Sequence, residues 1–109
     1  MQRSALLWRV NVVAPRTLRA FWERHAQAEV PLREWMRETQ RASYANFAEL
    51  RAEHSEADLI AEQELTVFNI GGNKYRLVAF VRYTSQTVFV KRIMTHAEYN
   101  KWNARGRPL

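Results

Sequence analysis

Between residues 65 and 94 apolar and polar side chains alternate with a period near two, and two turn signals cut the run. Leu65–Ile70, Asn73–Tyr83 and Gln86–Met94 read as strands, joined by Gly71-Gly72 and Thr84-Ser85. Turns this short join only antiparallel neighbours, because a parallel pair needs a crossover of a dozen or more residues. The second half of the chain is therefore a meander, and the first half must supply the layer that covers one of its faces.

The first half has the grammar for that task. Asn11–Ala14 reads as a short strand, and Pro15 suits the first turn of a helix, where its missing N–H costs nothing. Leu18, Phe21, Trp22 and His25 form an apolar stripe at helical spacing. A second helix opens at Pro31 and carries Leu32, Trp35, Met36 and Thr39, so the two helices form a hairpin that buries Trp22 and Trp35. Asn46 and Glu49 have capping-box spacing for a short helix ending near His54, and Ser55–Asp58 reads as a turn. Thr95–Trp102 reads as a last helix with Thr95 as its cap and Glu98 three residues on. The expectation is one α+β domain over residues 11–102, with N-terminal helices on one face of a small antiparallel sheet and a short C-terminal helix. Residues 1–10 read as a flexible extension and Asn103–Leu109 as a polar, frayed tail. Ala5–Trp8 is too short for the apolar segment of a signal peptide.

Charge is segregated along the chain. Residues 1–64 carry nine Arg and no Lys against ten acidic residues, a balance of −1; residues 65–109 carry eight basic residues against Glu98 alone, a balance of +7. A polyanion is the natural partner of such a surface, since neutralised phosphates release condensed counterions; the plainer reading is that the charge aids solubility. The chain has no cysteine, which excludes disulfides, thiol catalysis and cysteine-bound zinc, and fits a reducing cytoplasm. No apolar run reaches the roughly 20 residues of a membrane span.

The two faces of the sheet differ. Tyr75, Leu77, Ala79 and Val81 share one face; Lys74, Arg76, Val78, Phe80 and Arg82 share the other. A two-residue turn at Thr84-Ser85 sets Val81 opposite Val88, Phe80 opposite Phe89, Val78 opposite Lys91 and Arg76 opposite Ile93. Lys74, Arg76 and Lys91 then become neighbours, with His96 at the end of their face. Three cations together repel unless an anion joins them, and Phe80, Phe89 and Arg82 beside them suit the stacking and holding of a nucleic-acid strand. An ordinary solvated sheet face is the competing reading, and a slip of one residue moves Lys91 to the other side.

The chemistry available is narrow. His25, His54 and His96 have no metal-ligand spacing, and Asp58 is the only Asp, which argues against a two-metal nuclease and calls for no cofactor. His25 and His54 read as structural and surface residues respectively. His96 follows directly on the basic strand, three residues before Tyr99. RNA can be cut without metal when its own 2′-OH attacks the adjacent phosphate. His96 and Tyr99 can take and give the protons, while Arg76, Lys74 and Lys91 stabilise the added charge. A helix cap that happens to hold a His and a Tyr is the alternative.

At these residues the sequence resembles a known family. Ala14–His25 and Pro31–Trp35 resemble the first two helices of HigB-type toxins. Val67-Phe68-Asn69-Ile70-Gly71-Gly72-Asn73-Lys74-Tyr75-Arg76-Leu77-Val78 is similar to their central hairpin, and Thr95-His96-Ala97-Glu98-Tyr99 to their terminal signature. The resemblance covers residues 11–102 in collinear order. It implies a RelE-like fold and a ribosome-dependent mRNA endonuclease, held inactive in a hetero-oligomer by a HigA-type antitoxin. It also implies Lys74 and Arg76 at phosphate and His96 with Tyr99 at the scissile bond. Lys91 stands where many relatives have Arg, and Asn100 where the family often has Asp. A catalytically weak RNA-binding module of the same fold is the second reading. A DNA-binding regulator is a third, disfavoured because the basic residues lie mainly on strands.

Overall fold

The computed structural model describes residues 9–13 and 15–109, with Pro15 described by its backbone alone. Met1–Trp8 and Ala14, read above as part of an extension and as the end of the first strand, lie outside the described residues. The elements in chain order are β1 (Asn11–Val13), α1 (Pro15–Arg24), α2 (Glu29–Arg41), α3 (Phe47–Glu53), β2 (Asp58–Ile60), β3 (Leu65–Ile70), β4 (Tyr75–Arg82), β5 (Thr87–Thr95) and α4 (His96–Ala104). The strands form one sheet in the order β1-β5-β4-β3-β2.

The meander from β3 to β5 is antiparallel, as the turn signals require. Two elements extend it. Asp58–Ile60, whose first residue alone was read as turn, pairs antiparallel with β3. β1 joins the other edge parallel to β5, Val12 beside Val88, so the sheet is mixed. A three-residue strand shows too little alternation to be read from sequence.

The apolar stripes of α1 and α2 pack on the face formed by Tyr75, Leu77, Ala79 and Val88. Leu18, Phe21, Leu32 and Trp35 are buried there, and Trp35 meets the ring of Phe68 edge-on at 5.2 Å. Trp22 stays half-buried under the Arg33 guanidinium, 4.8 Å from its ring. α2 begins at Glu29, so Pro31 sits inside its first turn, where an N–H has no helical partner in any case.

The register of β4 on β5 breaks once. Arg82–Thr87, Val81–Val88, Phe80–Phe89 and Ala79–Val90 pair as the sequence implies. Between Ala79 and Val78 the register shifts, leaving Lys91 as the extra residue of a β-bulge; Arg92 lies opposite Val78, Ile93 opposite Leu77 and Met94 opposite Arg76. The pairs Val78–Lys91 and Arg76–Ile93 of the unbroken register do not form. The physical reason is Arg92. Strict alternation after Val88 and Val90 would drive its guanidinium into the core beneath the helices, where an unpaired charge costs several kcal/mol. The bulge sends Ile93 into that core instead.

The opposite face has its own core. Ile60, Leu65, Val67, Val78 and Met94 are covered by Trp102 of α4, which is 5% exposed. The tail beyond α4, read as frayed, is tied down. The carbonyl of Pro108 accepts from Trp102 Nε1 at 2.7 Å and Arg92 Nη2 at 2.9 Å, and Arg107 pairs with Glu62 at 2.9 Å. At the other terminus Val10 is buried and donates to the Ala42 carbonyl.

α4 begins with a complete capping box: Glu98 N–H donates to Thr95 Oγ1 at 3.1 Å, and Thr95 N–H donates to Glu98 Oε1 at 2.9 Å. Thr95→Ala removes the cap acceptor and is expected to cost about 1 kcal/mol, read as a lower midpoint in urea unfolding. An unchanged midpoint would show that the Trp102 clasp alone holds α4.

Candidate active site

The start of α4 is where strand and helix bring charged groups together. His96 N–H donates to the Lys74 carbonyl at 3.0 Å, which pins the helix to the β3–β4 turn. That turn spans Gly71–Lys74, with Gly71 and Gly72 at φ of +62° and +69°, a region where a side chain is strained. Lys74 thus leaves the strand it was assigned to; its backbone holds His96, and its Nζ lies 3.4 Å from Gln27 Oε1.

Arg76 is braced by the same turn. Its Nη1 donates to the carbonyls of Asn73 and Tyr75 at 3.2 and 3.1 Å, and its Nη2 to the Asn73 side chain. Its Cζ stands 5.8 Å from the centre of the Tyr99 ring. His96 and Asn100, one turn apart on α4, join through Nδ1 and the amide nitrogen at 3.1 Å. With that nitrogen as donor, Nδ1 accepts and Nε2 carries the ring proton. An amide can also turn its oxygen to an Nδ1–H, so Asn100 can steady the ring in either protonation state. Arg76, His96 and Tyr99 are all half-buried. Neither ion pair of the described residues involves Lys74 or Arg76.

The remaining sequence-assigned residues gather further along the face. Phe80 and Phe89 stack with centroids 6.1 Å apart, and Phe89 is flanked by Arg82 Cζ at 5.7 Å and Lys91 Nζ at 5.9 Å. The bulge sets Lys91 one place further from Arg76 than an unbroken ladder would. The assigned residues therefore form two groups: Lys74, Arg76, His96 and Tyr99 at the helix start, and Phe80, Arg82, Phe89 and Lys91 beside the bulge. Among the described residues no three His, Asp or Glu side chains form a cluster able to hold a metal ion.

Two features were missed from sequence. Arg92 adds a cation on the α4 side, its Cζ 6.0 Å from the Trp102 ring; the signal was a charged residue at an apolar position of an alternating strand. His54 is not a surface residue. Its Nε2 lies 2.9 Å from the buried Tyr44 hydroxyl, and its ring meets Phe68 edge-on at 5.0 Å. Burial lowers its pKa from the ordinary histidine value against the opposing charges of Glu53 and Glu38. Burial, then the negative charge of Glu53 and Glu38, also raises the Tyr44 pKa.

Helices layered on a β-meander, with a basic strand–helix junction and, among the described residues, no acidic cluster, are consistent with a RelE-like toxic component. The family model of that description, the RelE-like HigB toxin of a toxin–antitoxin system, matches residues 28–102, and the chain belongs to this family. An mRNA interferase toxin HigB of Escherichia coli (strain K12) is 47% identical over 41 residues, and an mRNA interferase HigB of Shigella flexneri shows the same identity over the same length. Each match covers 38% of this chain and 39% of the relative, so the chain spans about two fifths of the curated relatives it matches.

The His54 environment sets a pH dependence. Its folded pKa lies below the unfolded value near 6.5, so unfolding takes up a proton as the pH falls through that value. The contribution of the buried neutral ring is whole above about pH 6.5 and is lost towards the lower folded pKa. Melting temperature is expected to fall between pH 7.5 and 5, and to fall less in His54→Gln. Parallel curves for the two proteins would assign the loss to other groups.

Proposed function

We propose that the chain is an endoribonuclease that cuts mRNA on the ribosome by a metal-independent route in the cytoplasm, restrained by a HigA-type antitoxin in a hetero-oligomer. The observation that carries this reading is the Arg76–His96–Tyr99 group. Arg76, a braced cation without a carboxylate partner, stands 5.8 Å from the Tyr99 ring, and His96 lies three residues before Tyr99 at the start of the same helix. Membership of a toxin family and the names of the partial relatives agree with it.

In the proposed reaction the 2′-oxygen bonds to phosphorus and the P–O5′ bond breaks, leaving a 2′,3′-cyclic phosphate and a free 5′-hydroxyl. One proton leaves the 2′-OH and one reaches the 5′-oxygen. His96, through Nε2, exchanges one of these and Tyr99 the other or orients the phosphate. Arg76 stabilises the extra negative charge of the pentavalent phosphorus, with Lys74 supporting it from the turn and Lys91 holding an adjacent phosphate beside the bulge. Phe80 and Phe89 stack bases, and Arg82 holds the flanking backbone.

His96→Gln is expected to abolish growth arrest in cells lacking the antitoxin and to slow cleavage by about 10²–10⁴-fold, with an unchanged melt and an intact antitoxin complex. Tyr99→Phe loses a comparable factor if the phenol moves a proton and less if it only orients. A folded His96→Gln protein that still arrests growth would leave catalysis to the cations alone. A second expectation concerns product ends: 2′,3′-cyclic or 3′-phosphates, read by end-specific ligation of cleaved mRNA. A 5′-phosphate would refute attack by the 2′-OH.

A further inference from the structure

α4 has a second charged flank. His96, Tyr99, Asn100 and Asn103 lie on one side of the helix, and Glu98, Lys101 and the C-cap residue Arg105 on the other, with Trp102 turned to the sheet. The second flank faces a cavity of about 310 Å³, whose walls include Arg24 at the end of α1, Arg92 and Met94 on β5, Lys101 and Trp102 on α4, and Arg105 directly after it. The cavity exists because β1 pairs with β5 only at Thr87–Phe89, so no described strand lies beside Arg92–Met94 on that edge.

Its charge is unbalanced. Arg24, Arg92, Lys101 and Arg105 line it with one carboxylate, Glu98, whose Oε1 already accepts from the Thr95 amide. Neither ion pair of the described residues involves any of the four cations. Lys101 and Arg105 stand at i, i+4, where like charges disfavour the helix. The carbonyls at this end of α4 are covered: Arg105 N–H donates to Lys101 O, Gly106 N–H to Asn103 O and Arg107 N–H to Trp102 O. The negative end of the helix therefore opposes an anion less than bare carbonyls would.

We propose that this cavity is a second phosphate site, holding the backbone of an RNA strand away from the scissile bond. The inference rests on RNA being the substrate. The same helix then grips one strand on two sides, with the reacting phosphate at His96 and a neighbouring stretch of backbone at Lys101 and Arg105. An acidic peptide is the weaker occupant. None of the exposed large apolar residues described, Val13, Val30, Leu59 and Leu109, lines the cavity, and peptide interfaces draw most of their energy from apolar anchors.

The test is fluorescence anisotropy of a labelled 2′-O-methyl oligonucleotide, which lacks the attacking hydroxyl, titrated with the full chain over a range of salt. Lys101→Ala/Arg105→Ala is expected to weaken binding about tenfold at low salt. It should also lower the log–log salt slope by about 1.4, two single-strand contacts at about 0.7 each. Arg16→Ala/Arg19→Ala removes the same charge from exposed positions on α1 and is expected to keep the wild-type slope. An unchanged slope in the α4 variant, or an equal loss in the α1 variant, overturns the site. So does a variant that keeps its RNA slope but loses polyglutamate binding, which assigns the cavity to an acidic protein. Because the oligonucleotide cannot be cut, a protein that binds it through α4 yet cleaves no mRNA removes the ribonuclease reading alone. A wild-type protein that binds no RNA overturns the phosphate site and leaves the ribosome-dependent cleavage to be judged by the product ends.

Discussion

The extra residue at Lys91 governs the arrangement of nearly everything that follows it. β5 has to feed two cores, and strict alternation would bury the Arg92 guanidinium under the helices and take Ile93 out of the core there. One inserted residue resets the period. Ile93 then joins Leu18, Leu77 and Val88, while Met94 faces the other way, towards Trp102. The avoided burial of a guanidinium exceeds the hydrogen bonding lost at one bulge, because an unpaired buried charge costs several kcal/mol and a net hydrogen bond about one. The bulge also keeps Lys91 beside Phe89 and places Arg92 where the Pro108 carbonyl can reach it.

The seat of α4 follows from that reset. Met94 and Val78 offer an apolar floor, Trp102 covers it, and the tail closes over the indole through Pro108. A helix of nine residues is marginal alone. Its stability comes from the Trp102 contact, the Thr95–Glu98 box and the His96–Lys74 backbone bond. Those same anchors set the angle at which its side chains meet Arg76, so the stability of the helix and the geometry of the junction rest on the same bonds.

Part of this was legible in the sequence. Leu65–Ile70 emerged with its bounds because alternation and Gly71-Gly72 frame it, and the Thr95–Glu98 box because cap and acceptor are three residues apart. His96, Tyr99 and Arg76 stood out by residue type and position. His54 did not: its partner Tyr44 is ten residues away across an irregular segment, and no periodic pattern links them. The docked tail was equally hidden, since a backbone carbonyl of Pro108 is the acceptor and composition says nothing of where a carbonyl points.

Local chemistry thus determined the elements themselves. Turn glycines, helix caps, apolar stripes and a charge balance concentrated after residue 64 are properties of neighbours in sequence, and they specify helices, hairpins and a basic C-terminal half. Tertiary structure decided which face each cation occupies. A strand inverts every side chain with a shift of one residue, and that shift was set by which residue, Arg92 or Ile93, entered a core assembled from distant elements. Only packing against α1, α2 and α4 fixes that choice.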